Sequence, residues 1–461
     1  MNVGCAQVDI TPRRALTLCG FAARRNLPFA EIHDPLRLHA LIVAEKEERV
    51  LILSFDLLAL GPEVTERLHE VLDAVDGLDV PRAKRVFCCT HTHSAPAAVK
   101  LMGCGVIEAD YIAQLSEAVA SVAAQASAQC VLAQARVAKI ELSGHSYNRR
   151  RVLDDGRVVM TEQPSTPVRK AGPVLPRMLL LRFETEDGLP VAGLVHWAAH
   201  PCTVCGNCVT GDFPGELCRQ LSAKHGYPYM FLQGSCGNIN PPLGDMSVEQ
   251  MLGNVSSIME ELEQPAWSPP VNPAPFRLAG RSIALPYAAG LPLSELIAMG
   301  EGMKQIAETG HGPQRELQEL SNILNVEVGR EPDPLMLRYI AGVLRNWTAE
   351  QIGVAEGNQA RTCPLDVKVL RIGHVVLCFV AAEVFAETAL AIQETFPELC
   401  VALVGYASPI VGYLPTDEAM DEGGYEVAYA FKFYGHPAAF ARGAEALTVA
   451  TLKELVEVTQ L

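Results

Sequence analysis

Short apolar runs alternate with amphipathic stretches from residue 1 to about residue 245, and this alternation limits the fold more than any other feature. A short apolar run is typical of a buried strand, and an amphipathic stretch is typical of a helix packed against it. The alternation therefore predicts an α/β architecture, mixed α+β in its details, with layered sheets in the core and helices around them. The predicted strands are 49–55, 85–89, 178–183 and 191–197, and the predicted helices are 63–75 and 111–126.

A proline-rich segment, QPAWSPPVNPAPF at 264–276, interrupts this pattern. Helical periodicity follows the segment, and strand-like patterning returns at 365–372 and 375–380. We therefore predict a single catalytic domain spanning 1–461, with 264–360 as a mainly helical insertion over the core. No internal repeat is evident in the sequence. The helices predicted within the insertion are 294–307, 316–324 and 334–344.

The charge balance excludes some classes of partner. The formal net charge is −16 and the pI is near 5.3, so the chain lacks the basic surface that neutralises phosphates. We therefore expect neither nucleic acid nor an anionic membrane surface as a partner. No run reaches the roughly 18 apolar residues that a membrane span needs, and the N-terminus lacks the layout of a secretory signal. The sequence does not indicate an oligomeric state.

The fourteen cysteines lie mostly inside apolar runs, as buried thiols do in a reducing cytosol, and so favour a cytoplasmic protein. The exception is HPCTVCGNC, where Cys202, Cys205 and Cys208 have the spacing of an iron–sulfur or zinc site. A fourth ligand would have to come from Cys218 or His200, because no second C-x-x-C pair is present. A small-residue loop that is rich in cysteine is the favoured interpretation.

The run RVFCCTHTHSAP at 85–96 places two histidines directly after a predicted buried strand. If the strand continues through them, His91 and His93 point to the same face, because side chains repeat every second residue. Two imidazoles on one face suit a metal ion, although a histidine at a strand end is more often a structural residue. Further ligands must come from elsewhere in the chain.

Several other apolar runs also end in side chains that can bind metal. His200 follows the strand at 191–197, Glu383 follows the strand at 375–380, and a later loop carries Tyr413. Ligands collect outside the carboxyl ends of strands in open α/β sheets. Two histidines, a glutamate and a tyrosine would form a mononuclear site of the kind that zinc favours. Alternatively, Glu383 could stabilise a helix N-terminus and Tyr413 could pack over a turn.

Seven short motifs, in this order along nearly the whole chain, resemble those of the neutral/alkaline ceramidases and their shorter bacterial relatives. The motifs are THTHSAP (90–96), WAAHPCT (197–203), GDFPGE (211–216), QGSCGNINP (233–241), AAEVF (381–385), GYLPTDEA (412–419) and GGYEV (423–427). The resemblance implies a ceramidase catalytic-domain-like fold, one bound zinc ion and hydrolysis of the amide of an N-acylated sphingoid base. Since no counterpart of the family's C-terminal immunoglobulin-like domain is expected, the chain resembles a short bacterial-type relative.

The resemblance also implies a ligand set. Carried over residue by residue, the zinc ligands are His91, His200, Glu383 and Tyr413. The second histidine of the pair, His93, would then face the reaction rather than the metal.

One family motif differs at a residue that carries chemistry. The family's glycine-aspartate-valine-serine-proline segment, whose serine acts in catalysis, aligns with 237–241, where Asn240 replaces the serine. Asparagine is no nucleophile, so attack by water activated at the metal is the simpler mechanism. Asn240 would donate to the developing oxyanion, and His93 would move the proton to the leaving group. Asp212 is a second candidate base or a hydrogen-bond partner of a ligand histidine. Arg149 would bind an oxygen-rich group of the substrate, unless it belongs to a solvated basic cluster.

The favoured function is therefore a cytoplasmic zinc-dependent amidohydrolase that acts on a small soluble N-acylated molecule. The low aromatic content of 6% favours a polar substrate over a lipid. Hydrolysis of an ester or lactone at the same metal site stays open, as does a non-catalytic relative that only binds a ligand. An amidohydrolase barrel is a further alternative, but its His-x-His pair normally lies on the first strand, and 90 residues precede His91.

Overall fold

Three mixed β-sheets with helices packed against them form the core of the chain. The computed structural model describes residues 1–164, 166–326, 330–355 and 361–460. The arrangement confirms the mixed α/β fold class with a layered sheet core that the sequence predicts.

Twelve α-helices lie in the described part of the chain, together with short 3₁₀ helices at Ala22–Arg24 and Arg82–Lys84. The α-helices are α1 (Pro62–Asp73), α2 (Ala109–Ala128), α3 (Asp212–His225), α4 (Val248–Glu261), α5 (Leu293–Thr309), α6 (Gln314–Ile323), α7 (Pro334–Ala355), α8 (Ala386–Thr395), α9 (Asp417–Glu422), α10 (Tyr425–Ala428), α11 (Ala430–Phe433) and α12 (Ala444–Val458).

The strands range from two-residue bridges to runs of eleven residues. They are β1 (Asn2–Asp9), β2 (Leu18–Cys19), β3 (Glu31–Ile32), β4 (Arg37–Glu45), β5 (Glu48–Phe55), β6 (Arg85–Cys89), β7 (Ala95–Pro96), β8 (Val131–Leu132), β9 (Gln134–Glu141), β10 (Tyr147–Asn148), β11 (Arg150–Leu153), β12 (Val158–Met160), β13 (Val168–Ala171), β14 (Arg177–Glu184), β15 (Pro190–Trp197), β16 (Cys208–Val209), β17 (Tyr229–Gln233), β18 (Ile239–Asn240), β19 (Phe276–Pro286), β20 (Thr362–Ile372), β21 (Val375–Val380), β22 (Glu383–Val384), β23 (Cys400–Val404) and β24 (Tyr413–Leu414).

Each of the three large sheets contains one parallel strand pair. Their strand orders are β6-β5-β4-β1-β8, β17-β15-β14-β9 and β19-β20-β21-β23. The parallel pairs are β5 with β6, β15 with β17 and β21 with β23, and the other neighbours are antiparallel. The shorter strands pair locally, β2 with β7, β3 with β16, β10 with β18, β11 with β12 and β13, and β22 with β24.

The same connection occurs in all three sheets: an antiparallel hairpin, then a helix, then a strand parallel to the second strand of the hairpin. We call this element the hairpin–helix–strand unit, and its members are β4-β5-α1-β6, β14-β15-α3-β17 and β20-β21-α8-β23. The repetition is not evident in the sequence, because a buried strand needs only apolar residues and does not need the same ones.

The carboxyl ends of the three units meet near the centre of the molecule. The amide of Cys89 donates to the carbonyl of Tyr406 at 3.1 Å, and the amide of Gly405 donates to the carbonyl of Gln233 at 3.0 Å. The Gln233 side chain links the second unit to the first by donating to the carbonyl of Thr90 at 3.0 Å. Residues that follow these strands are therefore held close together.

The strands and helices predicted from the sequence are all present. The largest difference is α7, which continues to Ala355 because fully buried Trp347 extends its apolar face beyond residue 344. The range 264–360 contains α5, α6 and α7, whose buried side chains form a separate core, and it also contains strand β19 of the third sheet. Residues 327–329 and 356–360 of this range lie outside the described residues.

None of the helices in the described ranges combines the length and the apolar character that crossing a membrane requires.

Candidate metal centre

The histidine pair lies on a sharp corner and not on a strand. Strand β6 ends at Cys89, and His91 has a φ of 69°, in the left-handed region that non-glycine residues rarely adopt. The expectation that the strand continues and aligns the two rings by alternation is therefore wrong. The His91 amide is held by the carbonyl of Leu57 at 3.0 Å, and Tyr406, two residues after β23, has a similar φ of 56°. Strained backbone of this kind persists where the surrounding structure enforces it.

Three imidazoles nevertheless converge at one point. The Nε2 atom of His91 lies 3.1 Å from that of His200 and 3.3 Å from that of His93, and the last two are 3.0 Å apart. His91 and His200 are buried, and His93 is partly buried. Among the residues that the structure describes, this is the one group of three or more His, Cys, Asp or Glu side chains whose ligand atoms all lie within 4.8 Å. We call it the histidine cluster.

Backbone carbonyls fix the far side of two of these rings. Nδ1 of His91 lies 2.8 Å from the carbonyl oxygen of Leu58, and Nδ1 of His200 lies 3.2 Å from that of Cys236. A carbonyl only accepts, so in both rings Nδ1 carries the hydrogen and Nε2 keeps its lone pair. Burial lowers the pKa of His200 and of His93 well below the usual value, which keeps these rings in the neutral form that binds metal.

Arg24 and Gly20 contact His93 on the side away from the other two rings, and the sequence did not point to either residue. The buried guanidinium of Arg24 donates to the backbone carbonyl of His93 and, at 2.9 Å, to the hydroxyl of Ser94. Gly20 has a φ of 112°, and a Cβ at this position would lie 2.6 Å from Cγ of the His93 ring. Only glycine leaves room for the ring at that backbone conformation.

Glu383 lies against the cluster on another side. Its Oε2 atom is 3.4 Å from Nε2 of His91 and is buried without a hydrogen-bond partner in the described residues. Its Oε1 atom accepts from the hydroxyl of Tyr434 at 2.5 Å. Burial acts to raise the pKa of Glu383, but His91 and the Tyr434 hydrogen bond outweigh burial, and the net pKa lies below its usual value. Tyr434 carries no motif signal in the sequence.

These groups fit a divalent metal ion. Ligand atoms about 2.0–2.1 Å from a tetrahedral zinc ion lie roughly 3.3 Å from one another. The three nitrogen–nitrogen separations here are between 3.0 and 3.3 Å, and Oε2 of Glu383 lies 3.4 Å from Nε2 of His91. Without a cation, neutral nitrogen lone pairs would face one another, and a buried ionised oxygen would lack a partner. The histidine cluster can therefore hold a metal ion.

Tyr413, Arg149 and Asn240 form a hydrogen-bonded row beside Glu383. The β22–β24 pair places Tyr413 directly opposite Glu383. The hydroxyl of Tyr413 accepts from Nη2 of Arg149 at 2.9 Å, and Nη1 of Arg149 lies 3.4 Å from Oδ1 of Asn240. Arg149 and its neighbour Arg150 are buried, so the alternative of a solvated basic cluster is wrong for them. The catalytic and ligand roles of the three row residues stay predictions.

Asp212 holds a loop and does not hold a histidine ring. Its carboxylate accepts from the hydroxyl of Thr203 at 2.5 Å, from the amide of Thr203 at 2.9 Å and from the amide of Phe213 at 2.6 Å. Because Nδ1 of His91 and of His200 face carbonyls instead, neither ring bonds to Asp212, and its role as a candidate base stays a prediction. Asp212 thus fixes the segment that follows His200.

The thiols of Cys202, Cys205 and Cys208 do not form a metal-binding group by the same distance criterion. Cys202 instead lies 3.9 Å from Oδ1 of Asn240, and Cys208 contacts the carbonyl of Val209 at 3.6 Å. All fourteen cysteines are free, and all except Cys130 and Cys205 are buried.

We expect anaerobically purified protein to show no charge-transfer absorption in the visible range, because a fourth cysteine at cluster spacing is missing from this loop. Absorption spectroscopy and an assay for acid-labile sulfide check this expectation. A brown protein that releases sulfide would contradict it.

The overall structure is similar to that of solved ceramidases. The neutral ceramidase from Pseudomonas aeruginosa matches with a TM-score of 0.66 and 18% sequence identity, over 100% of this chain and 74% of its own. The chain has a ceramidase fold. A ceramidase complexed with C2 matches with a TM-score of 0.65 and 17% identity, again over 100% of this chain and 74% of its own. No protein-family model and no curated protein matches the chain in sequence. The ceramidase fold also differs from the parallel barrel that the amidohydrolase alternative requires.

The structure and the sequence resemblance suggest different fourth ligands, and metal content distinguishes them. We expect Tyr413→Phe to keep one metal ion per chain, and we expect His93→Ala to bind it at least about 10-fold more weakly, because it loses a converging nitrogen. Metal titration of both purified variants checks this. Full affinity in His93→Ala together with metal loss in Tyr413→Phe would favour the ligand set that the resemblance implies.

Proposed function

We propose that the chain is a metal-dependent hydrolase, with zinc as its cofactor, that cleaves the amide bond of a small N-acylated molecule. The observation that carries this proposal is the convergence of three imidazole nitrogens 3.0 to 3.3 Å apart, with a buried carboxylate oxygen 3.4 Å from one of them, in a ceramidase-like fold. Neutral nitrogens and an ionised oxygen are the donor set that zinc prefers.

In this proposal His91, His93, His200 and Glu383 hold the metal. When bound, a divalent ion polarises a carbonyl oxygen and lowers the pKa of water to about 7. The hydrogen bond from Tyr434 occupies Oε1 of Glu383, which leaves Oε2 as the oxygen for the metal. The carbonyls behind His91 and His200 keep both Nε2 atoms aimed at the same point.

Asn240 and Tyr413 supply hydrogen-bond donors for the substrate. Oδ1 of Asn240 faces Arg149 and its side chain also bonds to Tyr147, so at most one N–H of the amide is left to donate to an oxyanion. The Tyr413 oxygen accepts from Arg149, so its own hydrogen remains available. Burial raises the pKa of Tyr413 well above its usual value and keeps the hydroxyl protonated. Both side chains therefore favour negative charge on a reacting carbonyl.

Arg149 favours a polar substrate. A guanidinium has five N–H donors, and three of them are directed at Glu426, Tyr413 and Asn240. The remaining donors suit a carboxylate or another oxygen-rich group on the substrate. We therefore propose an acylated amine, amino acid or amino sugar.

The experiment is a panel of such N-acyl compounds incubated with zinc-loaded protein, with release of the free amine as the measured quantity. Matched esters of the same acyl groups are included, and chelator-treated protein is the control. We expect metal-dependent amine release from at least one compound. Cleavage of esters only would show that the chain is an esterase or lactonase rather than an amidase. Tight binding of a panel member without cleavage would favour a non-catalytic ligand-binding protein.

A further inference from the structure

A fully buried carboxylate, that of Glu426, bridges two arginines at the edge of the proposed site. Its side chain is 0% exposed. Oε1 accepts from Nε of Arg149 at 3.0 Å, and Oε2 accepts from Nη1 of Arg150 at 2.9 Å. Each oxygen is therefore committed to a different guanidinium, and a charge-assisted bond of this kind is roughly twice as strong as a neutral one.

The bond to Nε sets the direction of the rest of the Arg149 side chain. A guanidinium is planar, so fixing Nε at one edge orients the two outer nitrogens. These nitrogens point to the hydroxyl of Tyr413 at 2.9 Å and to Oδ1 of Asn240 at 3.4 Å. Glu426 makes no hydrogen bond to either residue in the described part of the structure, so the hydrogen bonds connect it to them through Arg149.

Arg150 anchors Glu426 on the side away from the site. Its Nη2 atom donates to the carbonyl of Gly423 at 2.8 Å and lies 3.4 Å from Oε2 of Glu422. Its guanidinium also lies over the ring of Phe385 at 5.4 Å. Helix α10, which carries Glu426, is thereby fixed to the junction between β10 and β11 that carries Arg149.

We infer that Glu426 is a positioning residue that holds the Arg149 guanidinium against Tyr413 and Asn240. This inference rests on the proposed function, because the reaction is what the positioning serves. Loss of the hydrogen bond between Nε of Arg149 and Glu426 would let the Arg149 guanidinium shift. A displacement of about 1 Å in a positioned group can cost about 10²-fold in rate.

Two variants test whether both the charge and the reach of Glu426 are needed. Glu426→Gln removes the charge, and Glu426→Asp keeps the charge but shortens the side chain so that it cannot reach both arginines. We expect both variants to lower kcat/KM by about 10- to 100-fold while bound metal stays at the wild-type level. Glu422→Gln is the matched control, because Glu422 contacts Arg150 and Lys170 but not Arg149, and we expect it to stay within about threefold of wild type.

A double-mutant cycle tests the route of the effect. If Glu426 acts through Arg149, Arg149→Met combined with Glu426→Asp loses no more activity than Arg149→Met alone. The inference would be overturned if the loss of kcat/KM in the double variant equalled the product of the two single-variant losses. Wild-type kcat/KM in a folded Glu426→Asp variant would also overturn it.

Crystal structures of the wild type and Glu426→Asp distinguish failure of this inference from failure of the proposed function. If no panel compound is cleaved by the wild type, the proposed function fails, but the positioning is still tested. We expect Nη2 of Arg149 to leave hydrogen-bond distance of Tyr413 in the variant. An unchanged Arg149 would overturn the inference whatever the activity.

Discussion

We expect His91→Ala and His200→Ala to lose the bound metal that the wild type holds at one ion per chain. Each variant removes a buried Nε2 atom from a cluster whose nitrogens lie 3.0 to 3.3 Å apart. Loss of the metal removes several kcal/mol of charge stabilisation, so turnover should fall by more than about 10³-fold. Elemental analysis and the amine-release assay measure the two effects.

His196→Gln is the matched control for these variants. His196 is also a buried histidine on β15, but its Nε2 atom bonds the carbonyl of Leu403 at 3.0 Å and lies outside the cluster. This variant should keep its metal, even where its melting temperature falls. Wild-type metal content in both His91→Ala and His200→Ala would contradict the proposal that the histidine cluster binds the metal.

We expect Asn240→Ala to lower kcat by about 10²- to 10³-fold, the usual effect of removing one oxyanion donor, while bound metal is unchanged. Asn240 lies on β18 with its Oδ1 atom toward Arg149, and it is 7% exposed. An amide side chain donates a hydrogen bond but cannot be acylated, so we also expect no covalent acyl-enzyme.

Ser235→Ala is the control, because Ser235 is the nearest serine before Asn240 in the chain and therefore the alternative nucleophile. Its hydroxyl is fully buried and has no hydrogen-bond partner in the described residues, so nothing activates it and its removal should be nearly silent. Rapid-quench mass spectrometry with the best substrate decides the mechanism. An acyl adduct trapped on Ser235 or any other residue would contradict direct hydrolysis and restore a serine-type route.

The sequence predicts the strands and helices and the polar residues at strand ends because apolar periodicity depends only on local chemistry. It also leads to His91, His200 and Glu383, which lie together in the structure. The route to the His91–His93 pair was wrong, however. Alternation along a strand does not align the two rings. A left-handed backbone conformation at His91 brings them together, and no local sequence pattern predicts that conformation.

Partners that come from distant parts of the chain could not be predicted. Tyr434 is 51 residues from Glu383, and Glu426 is 277 residues from Arg149. Each contact depends on how the segments after β23, including the short helices α10 and α11, fold back on the sheets, which tertiary packing decides. Glu426 lies in the GGYEV motif that resembles the ceramidase family, but a motif gives a position and not a contact. The threefold use of the hairpin–helix–strand unit was hidden for a similar reason, since strand pairing leaves little trace in residue identity.

The central claim of the proposed function is that a single metal ion held at the histidine cluster is required for cleavage of an amide. The most direct test is to strip the purified protein of metal and titrate zinc back while amine release from an N-acyl substrate is recorded. We expect no activity without metal and a rise that ends in a plateau at one zinc ion per chain. Full activity in the metal-free protein, or a plateau that needs a second ion, would contradict it.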